Sequence, residues 1–152
     1  MVIYPDTSFL VSLYVQELST PSAERFVQDI DGPLAFTPFH RLEFRTALRL
    51  RVFRKELSLP QLRSIFLKME AHLTGGVFQH SPLVWADALR EAERLGEAHL
   101  KEIGARTGDL LHVASAVVLG ARDFLTFDHR QTDLARRAGL KVKAWRNLPK
   151  NL

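Results

Sequence analysis

Four acidic residues stand where acids are out of place. Asp6 lies in "VIYPDTSFLVSLYV", with Val2, Ile3 and Tyr4 before it and Phe9, Leu10, Val11, Leu13, Tyr14 and Val15 after it. Carboxylates avoid such company unless something compensates their charge. Glu43 lies in "PFHRLEFRTALRLRVFRK". On a helix turning about 100° per residue it falls roughly 20° from Leu50 and roughly 40° from Phe39 and Ala47. That puts it inside the apolar face those residues form with Leu42 and Phe53, which is expected to be buried. Asp109 is the sole acid of "RTGDLLHVASAVVLGA", and Asp128 closes "DFLTFD". Each acid also has a local explanation. Asp6 and Asp128 can cap the helices that follow them. Asp109 sits in a first turn, where the helix dipole favours a carboxylate. Glu43 can pair with Arg54 or another arginine.

Taken together the four need more than local explanations. Like charges brought to one cleft cannot all stay ionised without a counter-charge. With no cysteine and few converging histidines, an all-oxygen site points to Mg²⁺ or Mn²⁺ rather than zinc. Such an ion polarises a phosphoryl oxygen and activates water. His112 lies one turn beyond Asp109 on the same side of its helix and reads as a supporting or structural residue. Thr126 places a hydroxyl beside the same site. Asp123 is expected at the far end of its strand, and Asp133, near three arginines, as a surface charge.

The elements that position these residues follow from hydrophobic period and punctuation. "VIY", "LAFT", "VFQH", "DFLTF" and "LKVKAW" read as short strands. Between them run helices: Asp6 to Val15, "PSAERFVQDI" with Thr20 or Ser19 ahead of Pro21, Thr37-Pro38 to about Lys55, and Leu59-Pro60 to about His72. Ser81-Pro82 is expected to open the next, ending near Gly96. "GDLLHVASAVVLGA" is apolar nearly all round and hence buried. "HRQTDLARRAG" ends on Gly139. Strands separated by helices predict an α/β fold with three α/β/α layers around a parallel sheet of about five strands. Sites in such sheets lie beyond the carboxyl ends of the strands. Asp6 and Asp128 therefore share one edge.

The bulk numbers agree. The 152 residues suit one domain spanning 1–152. A hydrophobic fraction of 46% and a charged fraction of 25% exclude disorder. No apolar run is long enough for a membrane span, and "MVIYPDTS" does not read as a signal peptide. The absence of cysteine fits a reducing cytoplasm. A net charge of +4 and a pI of about 9.8 suit a polyanionic partner. Arg41, Arg45 and Arg49 recur at helical spacing as a basic stripe. It is either a solvated face or a surface for phosphates or an acidic partner. Lys101 and Arg106, just before Asp109, are placed to reach a phosphate more directly.

At this point the chain resembles the PIN-domain nucleases, most closely the VapC-type toxins of toxin–antitoxin pairs. The resemblance rests on "PDTSFLVSLY", "HRLEFRTAL", "TGDLLHVASAVVLGARDFLTFD" and "RQTDLARRAGLKV", in the family's order. The stretch from about Arg54 to Val84 has no close counterpart. The resemblance implies that Asp6, Glu43, Asp109 and Asp128 are the catalytic, metal-binding acids. It also implies that Thr7, Ser8 and Thr126 are the hydroxyls beside them. It further implies Mg²⁺- or Mn²⁺-dependent endonucleolytic cleavage of single-stranded RNA to 5′-phosphate and 3′-hydroxyl ends. Frequent homodimers, and a small antitoxin whose C-terminal segment blocks the cleft, are implied as partners. Arg41, Arg45 and Arg49 then serve RNA or antitoxin. Alternatives are a PIN nuclease of RNA processing without a toxin role, and an inactive RNA- or protein-binding module. A phosphatase with an aspartyl nucleophile is disfavoured, because the position two after Asp6 is Ser8 rather than a second acid.

Overall fold

The computed structural model describes residues 1–17 and 20–143. In chain order the elements are β1 (Val2–Pro5), α1 (Thr7–Tyr14), α2 (Thr20–Asp29), β2 (Leu34–Phe36), α3 (Pro38–Phe53), α4 (Leu59–Thr74), β3 (Phe78–His80), α5 (Trp85–Ile103), α6 (Thr107–Val118), β4 (Ala121–Leu125), α7 (His129–Arg137) and β5 (Lys141–Lys143). The strands form one parallel sheet in the order β3-β2-β1-β4-β5. A parallel sheet buries both faces, which is why its strands read as short apolar runs. Side chains alternate between the faces. Ile3, Leu34, Phe36 and Leu125 meet α1, α2, α3 and α4 on one side. Tyr4, Ala35 and Phe124 meet α5, α6 and α7 on the other. The expected α/β class and three layers are present. Among the described residues no helix is long and apolar enough to cross a membrane.

The strand order reverses at β1. The chain winds outward through β2 and β3, then returns to place β4 on the other side of β1. The crevice beyond the carboxyl ends of β1 and β4 is therefore the switch point of the sheet, where ligands of such folds bind. Asp6 follows β1 directly, and Thr126 follows β4.

Several boundaries differ from the sequence reading, each for a local reason. Ser81-Pro82 does not open a helix: the Ser81 N–H still bonds the Phe36 carbonyl at 2.9 Å, prolonging the β2–β3 pairing. Helix α5 starts at Trp85 and runs through Gly96 to Gly104, which turns left-handed at φ 68° and ends it. Gly96 is a packing position: a Cβ there would lie 3.4 Å from Leu100 and 3.5 Å from Leu110 of the facing helix. Strand β4 starts two residues early, so Asp123 lies within it, buried and paired with Arg122 at 3.0 Å. The last strand is described only as Lys141–Lys143; Ala144 and Trp145, like Ser19, lie outside the described residues.

The largest correction concerns α3. Its buried residues are His40, Phe44 and Leu48. Leu42, Leu50 and Phe53, expected inside, are 65%, 44% and 83% exposed. The apolar stripe is real, but Phe39, Leu42, Ala47 and Leu50 line a cleft and Phe53 faces solvent. His40 holds the helix to the sheet. It is wholly buried; Nδ1 accepts the Thr37 N–H at 2.9 Å, and Nε2 donates to the Pro5 carbonyl at 2.7 Å. Burial pushes its pKa down from 6.5 to about 3; nearby His112 acts in the same direction, and the Pro5 carbonyl opposes it.

Because the folded chain refuses a proton that the unfolded chain accepts, stability is lost as pH falls below about 6.5. The slope is about 1.4 kcal/mol per pH unit over the range where only the unfolded state is protonated at this site. Unfolding of the wild type and of His40→Gln in urea between pH 7 and 4 checks this: the wild type's advantage shrinks as pH falls. A constant difference contradicts a neutral His40.

Candidate active site

Asp6 is fully buried at the end of β1. The Phe9 N–H donates to Oδ1 at 2.8 Å, so the carboxylate caps α1. The Ser8 hydroxyl spans Oδ1 and Oδ2 at 2.8 and 2.9 Å, and the Thr126 hydroxyl donates to Oδ2 at 2.6 Å. Burial raises the pKa of Asp6, against the pull of these donors and of His112. The Thr126 oxygen in turn accepts the Asp128 N–H at 2.9 Å. One hydroxyl thus ties the loop after β4 to the acid after β1.

Glu43 projects from α3 towards α6. Its Oε1 receives the Thr7 hydroxyl at 2.7 Å and lies 2.5 Å from His112 Nε2, while Thr7 Oγ1 and His112 Nε2 are 2.9 Å apart. Its Oε2 lies 3.3 Å from where a Cβ on Gly108 would be, so a side chain there would crowd the carboxylate. Half-burial pushes the Glu43 pKa up, but the His112 hydrogen bond and charge, with Thr7, outweigh it and hold it below the ordinary value. The compensating group is therefore a histidine and not Arg54. Behind it, the Tyr4 hydroxyl lies 3.0 Å from His112 Nδ1. Burial raises the Tyr4 pKa, so that it stays a phenol.

Thr7, Ser8, Phe39, Leu42, Glu43, Thr46, Ala47, Leu50, Gly108, Asp109, His112 and Gln131 enclose an open cleft of about 570 Å³. Glu43 and Asp109 are its two acids. Asp109 also receives the Arg106 N–H at 3.0 Å, and Asp128 the Gln131 N–H at 2.8 Å, so both serve helix starts. Asp6 adjoins the cleft behind Ser8. The basic stripe lies elsewhere. Arg41 and Arg45 reach Glu70 of α4 at 2.6 and 3.0 Å, and Arg45 and Arg49 lie over the Phe66 ring at 4.6 and 5.4 Å. Lys101 and Arg106 are exposed at the end of α5 and the start of α6, outside the cleft lining. His40, Tyr4 and Gln131 play parts that residue type alone did not announce.

No family model and no curated protein matches the chain. Solved structures do. VapBC2 from Rickettsia felis, bound to a promoter DNA fragment, matches with a TM-score of 0.65 at 16% identity, covering 95% of this chain and 99% of that one. VapC20 of Mycobacterium tuberculosis, a toxin that cleaves the sarcin-ricin loop, matches at 0.66 and 17% identity, with 86% and 93% covered. VapBC-1 from nontypeable Haemophilus influenzae matches at 0.59 and 20% identity, with 95% and 98% covered. The fold is that of PIN-like VapC toxins. Within a VapC-like fold, the donor chemistry of the cleft suits a hard divalent cation: Glu43 and Asp109 offer carboxylate oxygens, and no thiolate competes. Among the described residues no three His, Asp or Glu side chains already stand together as a metal site.

Replacing Thr126 by Val keeps the shape but removes the hydroxyl that joins Asp6 to the Asp128 amide. Leaving buried groups unpaired lowers stability by about 1–3 kcal/mol. Urea unfolding measures it; an unchanged midpoint contradicts the bridging role.

Proposed function

We propose that this chain is a Mg²⁺- or Mn²⁺-dependent endoribonuclease and the toxin of a VapBC-type pair. The observation that carries the reading is the placement of the acids at the switch point. Glu43 and Asp109 line one cleft walled by α1, α3, α6 and α7, and Asp6 and Asp128 lie in the turns after β1 and β4 that lead into α1 and α7. Asp6, Glu43, Asp109 and Asp128 would hold the ion. When bound, it supplies charge neutralisation for a phosphodiester and an acidified water.

The chain's own groups do the rest. His112 and Thr7 fix Glu43 at one oxygen and leave the other towards Gly108. Ser8 and Thr126 hold the Asp6 carboxylate in a single orientation. Such outer partners orient acids and tune them. Leu42, Leu50 and Phe39 form an apolar wall along which bases of a single strand can lie. Hydrolysis leaves 5′-phosphate and 3′-hydroxyl ends. The same exposed stripe, with Phe53, suits an apolar segment of a small antitoxin. A homodimer and a cytoplasmic location belong to the same reading. The competing reading is a binding module, favoured by one observation: Asp6, Asp109 and Asp128 each already cap a helix start.

Incubation with total cellular RNA, followed by mapping of the new ends, separates the two. The expected result is cleavage that EDTA abolishes and that Asp6→Asn reduces by at least about 100-fold. The thermal midpoint of Asp6→Asn stays level or rises, because a buried charge has been removed. Full activity in the variant contradicts the site; no cleavage by the wild type favours the binding module.

A further inference from the structure

Gln131 is the residue of the cleft whose presence the fold does not explain. It lies in the first turn of α7, is 6% exposed and lines the cleft. Its side-chain Oε1 is buried without a hydrogen-bond partner. Native chains leave few such atoms, because an unpaired buried acceptor destabilises the fold.

The ordinary use of a glutamine here is known from the same chain. In α4, Ser58 caps the helix and Gln61, three residues on, folds back so that Oε1 accepts the Ser58 N–H at 2.8 Å. Asp128 and Gln131 have the same spacing at the start of α7. Yet the Asp128 N–H is already taken by Thr126 Oγ1 at 2.9 Å. The hydroxyl that braces Asp6 thus displaces Gln131 from its capping role and leaves its side-chain oxygen buried and unpaired in the cleft wall.

Thr46 keeps its hydroxyl open to solvent, and the other neutral polar side chains of the cleft serve its acids. The Thr7 hydroxyl serves Glu43, the Ser8 hydroxyl serves Asp6, and His112 Nε2 serves Glu43. Glu43 and Asp109 are acids that repel phosphate. Gln131 Oε1 is a neutral, uncommitted acceptor and needs a donor. A phosphodiester offers none. The sugar-phosphate backbone of RNA has one donor per residue, the ribose 2′-hydroxyl, and DNA lacks it.

We propose that Gln131 contacts the substrate: its side-chain oxygen, buried and unpaired in the cleft wall, turns outward to accept a hydrogen bond from a ribose 2′-hydroxyl next to the scissile phosphate. This rests on the ribonuclease reading and adds the means by which the cleft tells RNA from DNA.

The test is kcat/KM on a short cleavable RNA and on a set of strands each carrying one 2′-deoxy position around the cut, with wild type and Gln131→Leu. In the wild type one deoxy position lowers kcat/KM by about 10- to 100-fold. Gln131→Leu shows a loss of similar size on the all-ribose strand and no further loss at that position. Its thermal midpoint equals or exceeds that of the wild type, since an unpaired oxygen has gone. Gln131→Met, closer in shape, carries the same comparison if the leucine variant folds poorly. The proposal is overturned if the deoxy penalty persists in full in the variants. It is equally overturned if they lose several degrees of midpoint and lose rate equally on every strand, the mark of a structural residue. Failure of the wild type to cut any RNA strikes the ribonuclease reading itself, and is distinguishable from a wild type that cuts with no help from Gln131.

Discussion

Burial of the Asp6 carboxylate constrains everything near it. An acid removed from water needs a donor for each oxygen, or it takes up a proton. Here the donors come from three places: the first turn of α1, the Ser8 hydroxyl and, across the sheet, Thr126 after β4. The last of these closes the gap between two strand ends far apart in sequence. Because Thr126 also holds the Asp128 amide, the start of α7 is positioned by the same bond, and Gln131 is turned from a cap into a cleft residue.

A second layer of buried polar groups stands behind the acids. His40 joins α3 to the last residue of β1, and Tyr4 on β1 meets His112 on α6. The rings of Tyr4, His40 and His112 are neighbours, with centroids 4.6 to 5.8 Å apart. Through them one strand registers the helix carrying Glu43 against the helix carrying Asp109. Buried networks of this kind favour one arrangement because any other leaves a member unpaired. The proposed cation site depends on that rigidity, since such a site is only as well defined as the shell that orients its ligands.

Much of this could be read from the sequence. Short apolar runs between amphipathic stretches gave the parallel sheet, because burial on both faces leaves that composition in β1, β2 and β4. Pro38 and Pro60 marked helix starts, because their missing N–H costs nothing there. Asp6 was legible as a misplaced charge, and it is wholly buried. What failed was the inference from an apolar stripe to a buried one. Phe39, Leu42, Ala47, Leu50 and Phe53 do share a side of α3, but the core lies under His40, Phe44 and Leu48. Period alone reports that a face is apolar, not whether protein or a ligand covers it. The arginine stripe shows a related limit: spacing placed the charges together, while Glu70 and Phe66, which they meet, lie on another helix. Gly96 looked like a helix end because its packing against Leu110 is a tertiary fact. The role of Gln131 depended on Thr126 reaching across from another loop, which no local pattern records.

In the proposed function, acids from separate elements act as one cation site. Calorimetric titration of Mn²⁺ into the wild type, Glu43→Gln and Asp109→Asn addresses it without reference to any substrate. The expected result is saturable binding by the wild type, weakened at least about tenfold by each substitution. Equal binding by all three proteins, or none by the wild type, contradicts it.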